Sequence, residues 1–141
     1  ADKALWIAGK HPELNLDKQF LEEAAMLHDI GIFMTDAEGI CCFGSYSYIC
    51  HGYLGADLMR KEGFPRHALV CERHTGAGMP LQSIIDQQLP VPHRNMVPVS
   101  LEEQLFALPT SFSQRRIWTG KERGEGVKEY FTLWGRWDNP F

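Results

Sequence analysis

The chain has 141 residues, of which 44% are hydrophobic and 23% charged, and its formal net charge is -4. This acidic balance argues against a general binder of nucleic-acid polymers or membrane surfaces, because phosphate backbones and anionic lipids call for clustered Lys and Arg. No apolar run approaches the roughly 20 residues that span a bilayer, so we expect a cytoplasmic protein with one core and no membrane partner.

Two helices are predicted at the start of the chain. Residues 1–8 have an amphipathic pattern, and Gly9 is placed to end that helix. A second helix is predicted from about Asp17, a residue type that caps helices, to His28. Its buried stripe consists of Phe20, Leu21, Ala24, Ala25 and Leu27. Because His28 lies at helical spacing from this stripe, its imidazole is directed inward.

The adjacent residues His28 and Asp29 are the most informative feature of the sequence, since both side chains bind metals and they end an apolar helix. An imidazole and a carboxylate placed side by side can reach one divalent ion, and such a carboxylate can bridge to a second. A core histidine hydrogen-bonded to an aspartate is the structural alternative. The apolar helix favours a metal site.

Residues 30–50 are predicted to form a long loop of turn-forming and aromatic residues. A loop of this length in a compact domain is either one wall of a substrate pocket or an ordinary packed surface loop. The next helix is predicted from about Tyr48 to Lys61, with His51 in its first turn. Pro65 then begins a further helix at the favoured first position.

The helix that begins at Pro65 carries His67, Cys71 and His74 near one face. His74 is the better ligand candidate, because it precedes the glycine-containing residues 75–78, where backbone can approach a phosphate. His67 is interpreted as a packing residue or as one that positions a ligand. His93, in a proline-rich loop, is a further candidate for substrate contact.

A capping box at Ser100–Glu103 predicts a last helix, which Pro109 is expected to interrupt. Beyond Gln104 no helical or alternating period is sustained, although three of the four tryptophans lie there. We therefore divide the chain into a helical core, residues 1–104, and an atypical, irregular tail, residues 105–141.

The run His28-Asp29-Ile30-Gly31 resembles the HD-domain superfamily of metal-dependent phosphohydrolases, and the resemblance extends from residue 1 to about residue 103. It implies an all-α helical bundle and, residue by residue, the metal ligands His28, Asp29, His51 and His74. Residues 74–80 also resemble the glycine-rich loop of the HD-GYP branch, with Thr75 in place of its second histidine.

Two ligands of the family pattern have no counterpart. The first histidine would precede Ala1, so we expect a fragment or a product started late, lacking that ligand. The late aspartate is expected where residues 106–110 stand. One nucleotide string can encode residues 104–116 as they stand and, read in a neighbouring frame, spell an aspartate there. We therefore predict a frameshift near Gln104, with a divergent tail as the alternative.

The resemblance implies a phosphohydrolase that uses one or two divalent ions, with manganese, iron, nickel, magnesium and zinc all compatible with nitrogen and oxygen ligands. Such ions lower the pKa of a bound water and neutralise phosphoryl oxygens. The expected partner is a small phosphorylated substrate, a nucleotide or another ester or anhydride. Asp29 and Arg73 are the predicted catalytic residues, Arg73 as a holder of phosphate; Lys61 and Arg66 are weaker candidates, and all three could be solvated charges.

Two other classes of function remain open for this sequence. Some HD-domain families use the same scaffold for oxygen chemistry, so a di-iron oxygenase is one alternative, and a domain that binds a metal or nucleotide without turnover is the other. The four cysteines lack the paired spacing of a zinc knuckle, and we interpret them as reduced thiols: Cys41, Cys42, Cys50 and Cys71.

Overall fold

The computed structural model describes residues 2–113, and this part of the chain is mostly helical, as predicted. Its α-helices are α1 (Asp2–Lys10), α2 (Lys18–Leu27), α3 (His51–Lys61), α4 (Pro65–Arg73), α5 (Leu81–Asp86) and α6 (Leu101–Ser113). No helix among the described residues is both long enough and apolar enough to cross a membrane. Most of the predicted tail, residues 114–141, lies outside the described residues.

Local sequence explains where α1 ends and where α2 begins. The Asp17 carboxylate accepts the backbone N–H of Phe20 at 3.0 Å, so it caps α2 as predicted. The prediction that Gly9 ends α1 is wrong, because the helix continues to Lys10. The helix stops instead before Pro12, whose ring disfavours the helical conformation for the preceding residue His11.

The main hydrophobic cluster joins the first two helices to α4 and α6. It contains Ala4, Ala8, Phe20, Leu21, Ala24, Val70, Leu105 and Phe106, all buried. Burial of these apolar side chains is the main favourable contribution to folding. The stripe predicted on α2 therefore faces the core, with Ala25 partly buried at its edge.

Helices α3 and α4 pack closely because small residues face each other. A Cβ atom on Gly52 would lie 2.8 Å from the carbonyl oxygen of Cys71. Below this point Ala56 and Met59 of α3 form a second cluster with Ala68 and Cys71 of α4. This close approach fixes the first turn of α3 beside the last turn of α4.

The predicted loop of residues 30–50 is shaped by short 3-10 turns and a small hairpin. The turns are Ile30–Met34, Glu38–Ile40 and Tyr48–Cys50, and the strands β1 (Asp36–Ala37) and β2 (Cys42–Phe43) pair antiparallel. The helix predicted from Tyr48 thus begins as a 3-10 turn and becomes α3 at His51. We call residues 33–48 the aromatic segment, since Phe33, Phe43, Tyr46 and Tyr48 are all exposed there.

Helix α6 begins with a variant of the predicted capping box. The Ser100 hydroxyl accepts the Glu103 N–H at 3.2 Å, while the Glu103 carboxylate accepts the N–H of Val99 at 2.8 Å. The expectation that Pro109 interrupts this helix is wrong, because α6 runs to Ser113. Burial of Phe106 and its neighbours stabilises the preceding turns, and such packing outweighs the local cost of a proline.

Candidate metal centre

Three histidines lie at ends of helical elements. His28 is the C-cap of α2, His74 is the C-cap of α4, and His51 follows the 3-10 turn that leads into α3. The last carbonyl groups of a helical turn lack partners within the helix, and a histidine side chain can bond to them. Each imidazole does so with the carbonyl three residues earlier in the chain.

These bonds fix the tautomer of all three rings. His28 Nδ1 donates to the carbonyl of Ala25 at 2.9 Å, and His74 Nδ1 donates to that of Cys71 at 2.8 Å. His51 Nδ1 likewise donates to the carbonyl oxygen of the residue three positions earlier, at 2.7 Å. Because a carbonyl oxygen only accepts, each Nδ1 carries a hydrogen. In the neutral rings each Nε2 therefore presents a lone pair, the arrangement found in metal-ligating histidines.

The three Nε2 atoms converge on the carboxylate of Asp29. His28 Nε2 lies 3.2 Å from one carboxylate oxygen, and His74 Nε2 lies 3.1 Å from the other. His51 Nε2 is 3.6 Å from that second oxygen. Ligand atoms of His28, Asp29 and His74 all lie within 4.8 Å of one another, a spacing suited to one ion.

The contact between His51 and His74 tests whether a cation fits. Their Nε2 atoms face each other at 3.1 Å. Because both Nδ1 atoms carry hydrogens, two neutral rings would place lone pairs against each other in a buried space. A proton or a metal ion shared between the nitrogens relieves this repulsion, so the donor set fits a divalent ion.

Burial is uneven across the four residues, which we call the His-Asp cluster (His28, Asp29, His51 and His74). The side chains of His51 and His74 are only 4% and 2% exposed, whereas that of Asp29 is 46% exposed. The two buried imidazoles form the floor of the cluster. The carboxylate faces solvent.

The electrostatics favour an ionised Asp29 carboxylate. Burial opposes its ionisation, but the contacts with Nε2 of His28 and His74, which are hydrogen bonds when those nitrogens carry a proton, outweigh burial and hold the pKa of this carboxyl well below its usual range. Burial lowers the pKa of His51, which keeps its ring neutral at neutral pH. For His28, burial is outweighed by the charge and hydrogen bond of Asp29, so its pKa is raised.

Glycine contacts hold the His-Asp doublet against α3. A Cβ atom on Gly31 would overlap the carbonyl oxygen of His51 and lie 2.5 Å from the nitrogen of Gly55. Any larger residue would therefore push the turn that follows Asp29 away from α3. Gly31 and Gly55 together position the doublet beside His51.

The structure thus brings together the four residues predicted as metal ligands, and it holds Arg73 in an ion pair. Arg73 Nη1 donates to the buried carboxylate of Glu103 at 2.8 Å, an ion pair between α4 and α6. Of the weaker phosphate candidates, Arg66 pairs with Asp17 at 2.6 Å, and Lys61 is exposed at the end of α3.

The other histidines have separate positions. His67 Nε2 is 3.1 Å from a carboxylate oxygen of Glu23, and its ring packs edge-on against Phe20 with centroids 4.8 Å apart. This agrees with its interpretation as a packing residue. His93 is exposed in the loop before α6.

Tyr48 is the residue that sequence reasoning missed. Its carbonyl orients His51, and its ring lies against the His51 imidazole with centroids 4.8 Å apart and planes at 34°. Burial, with a further contribution from the charge of Asp29, raises the pKa of the Tyr48 phenol. Its position three residues before a candidate ligand histidine was the available signal.

Comparisons with known proteins leave the family open. An uncharacterized protein of Methanocaldococcus jannaschii is 33% identical over 104 residues, which are 73% of this chain and 54% of that protein. A tRNA (cytidine(56)-2'-O)-methyltransferase of Picrophilus torridus is 32% identical over 92 residues, 64% of this chain and 23% of that enzyme. The chain thus spans about half of the first relative and about a quarter of the second. No family model and no solved structure matches it significantly.

Proposed function

We propose that this chain is the metal-binding core of an HD-type phosphohydrolase, which cleaves a nucleotide or another small phosphate ester or anhydride. The observation that carries the proposal is the convergence of three Nε2 atoms on Asp29, with every Nδ1 bonded to a carbonyl. Purely structural histidines need no common focus, whereas ligands of one centre do.

The residues of the cluster have distinct roles in this proposal. His51 and His74 hold an ion from the buried side, and His28 holds it from the end of α2. Asp29 neutralises part of its charge and, with two oxygens available, can bridge to a second ion. A divalent ion bound here supplies an activated water and charge neutralisation for the phosphoryl oxygens.

The position of α6 gives further support to the resemblance. The Phe106 ring lies 5.9 Å from the ring of His28, so this helix passes beside the cluster. The resemblance implies that the late aspartate of the family would stand on this helix. By the family resemblance, that aspartate corresponds to Leu108. We therefore expect Leu108→Asp to increase metal affinity.

Metal titration of matched histidine variants tests the proposal. His74→Gln and His67→Gln each remove one buried imidazole from α4, but only His74 belongs to the cluster. We expect the parent and His67→Gln to bind Mn²⁺ in calorimetry and to release phosphate from p-nitrophenyl phosphate, and His74→Gln to do neither. Equal metal binding by the two variants would overturn the proposal.

The same protein samples separate the two alternative functions. A di-iron oxygenase would purify with iron and show visible absorbance, which a phosphohydrolase loaded with manganese would not. Metal binding without phosphate release from a panel of nucleotides would indicate a binding domain. Because one relative carries the name of a tRNA methyltransferase, the panel includes a tRNA with a terminal phosphate.

A further inference from the structure

Tyr48 contacts the His-Asp cluster and is also exposed to solvent. Its ring packs on His51, whose Nε2 points to Asp29, and yet 51% of the tyrosine surface is exposed. The ring therefore lies beside an imidazole whose Nε2 is directed to the candidate metal position. A substrate that presents phosphate to the cluster would place its neighbouring group near this ring.

The two residues before Tyr48 are also exposed and have ordered backbone. Tyr46 is exposed and is held in place by two backbone bonds, since its carbonyl accepts the N–H of Asp36 at 2.8 Å and its N–H donates to the carbonyl of Met34 at 3.3 Å. Ser47, between the two tyrosines, has extended backbone. The tyrosines are thus presented by ordered backbone.

The charge of residues 30–50 disfavours a role in binding phosphate. Residues 30–50 contain Asp36 and Glu38 and no Lys, Arg or His. Anionic groups of a substrate would be repelled here and would be held by the metal cluster instead. The region suits the uncharged, planar part of a substrate, because aromatic side chains stack on such groups.

We propose that Tyr48 is a specificity-determining residue that stacks the nucleobase of a nucleotide whose phosphate lies at the His-Asp cluster. This inference rests on the proposed phosphohydrolase function and narrows its substrates to phosphates attached closely to an aromatic base. Stacking of a base on an aromatic side chain changes affinity by roughly tenfold.

Two substrates and a series of variants test the inference on the manganese-loaded full chain. The measured quantity is the ratio of kcat/KM for adenosine 5'-monophosphate to that for ribose 5-phosphate. We expect this ratio to fall about tenfold in Tyr48→Leu, because leucine offers no aromatic face. Tyr48→Phe should retain the preference, and Tyr48→Trp should retain or increase it. Phe64→Leu is the matched control, since Phe64 is similarly exposed but contacts His67.

A binding measurement gives a readout besides activity. Saturation-transfer NMR should show transfer to the adenine protons of adenosine in the parent and in Phe64→Leu, and none in Tyr48→Leu. Equal ratios and equal transfer in the two leucine variants would overturn the inference while leaving hydrolysis of ribose 5-phosphate intact. Failure of the proposed function gives a different result, because neither adenosine 5'-monophosphate nor ribose 5-phosphate is then hydrolysed. In that case the NMR measurement alone decides whether Tyr48 stacks the base.

The Tyr48 variants also show whether a change in activity arises indirectly, through loss of the metal ion. Metal content of Tyr48→Leu is measured, because the ring packs on His51. If that variant loses metal, the comparison of Tyr48→Trp with Tyr48→Phe decides: saturation transfer at least as strong in the tryptophan variant supports stacking, and weaker transfer contradicts it.

Discussion

The ends of α2 and α4 and the start of α3 differ sharply from the aromatic segment, which lies between α2 and α3 in the chain. At the helix ends His51 and His74 are buried, and each imidazole is held by a backbone carbonyl. In the aromatic segment the large side chains are exposed, and backbone bonds of short turns provide the order. Under the proposed function, the helix ends hold an ion, which requires fixed positions, and the aromatic segment meets a substrate, which requires access.

Thiol reactivity should show the largest difference between the two regions. Burial raises the pKa of Cys71, in α4, to about 12, so only about one molecule in ten thousand carries its thiolate at pH 8. Cys41, in the aromatic segment, is exposed. We expect rapid labelling of Cys41 by a disulfide reagent under native conditions and labelling of Cys71 only after unfolding, measured by mass spectrometry of peptides. Fast labelling of Cys71 in the native protein would mean that α4 opens readily.

Removal of a phenyl ring should affect stability very differently in the two regions. Phe20→Ala removes a ring that is 4% exposed in the main hydrophobic cluster and should lower the free energy of unfolding by about 3–5 kcal/mol. Phe43→Ala removes one that is 75% exposed and should change it by about 0.5 kcal/mol or less. Urea unfolding measures both variants. Similar losses would show that the aromatic segment is part of the core.

Substitutions of two aspartates compare the His-Asp cluster with the hairpin of the aromatic segment. Asp29→Asn should weaken Mn²⁺ binding by about a hundredfold or more, since replacement even of groups that orient a ligand costs about 10–100-fold. Asp36→Asn removes the same charge from the exposed strand β1 and should leave the affinity unchanged. Isothermal titration compares them, and an equal loss in both would attribute the effect to net charge.

The smallest expected effect concerns the glycine contact that joins the two regions. Gly31→Ala places a methyl group against the carbonyl of His51 and should lower the free energy of unfolding by about 1–3 kcal/mol. Gly39→Ala, in the aromatic segment, meets nothing within 4 Å and should be nearly neutral. Thermal unfolding of the two variants provides the comparison. A neutral Gly31→Ala would show that the turn can shift without cost.

Much of the helical framework could be predicted, because its causes are local. The cap at Asp17, the start of α4 at Pro65 and the capping residues before α6 are all sequence patterns a few residues long. The predicted ends at Gly9 and Pro109 were wrong, because low helix propensity at one residue does not by itself decide where a helix ends. Helix α1 ends before Pro12 instead, and packing of α6 outweighs the cost of Pro109.

The candidate site was predicted only in part. The four ligand residues could be named from the His28-Asp29 doublet and its resemblance, and they lie together in the structure, while their role as ligands remains a proposal. The contacts of Tyr48 with His51 and of Arg73 with Glu103 were not predicted. The contact of Tyr48 had a local signal in its three-residue spacing from His51. The contact of Arg73 does not follow from spacing along the chain, because it depends on which helices are neighbours in space.

The sequence by itself determined a mostly helical chain with histidines at the ends of its helices. Periodicity, caps and prolines act over one or two turns, and all of them can be read from neighbouring residues. Only the tertiary structure decided that Nε2 atoms of His51 and His74, separated by 23 residues, face each other at 3.1 Å beside Asp29. That distance depends on how closely the helices approach, and Gly31, Gly52 and Gly55 set the approach through contacts between distant parts of the backbone.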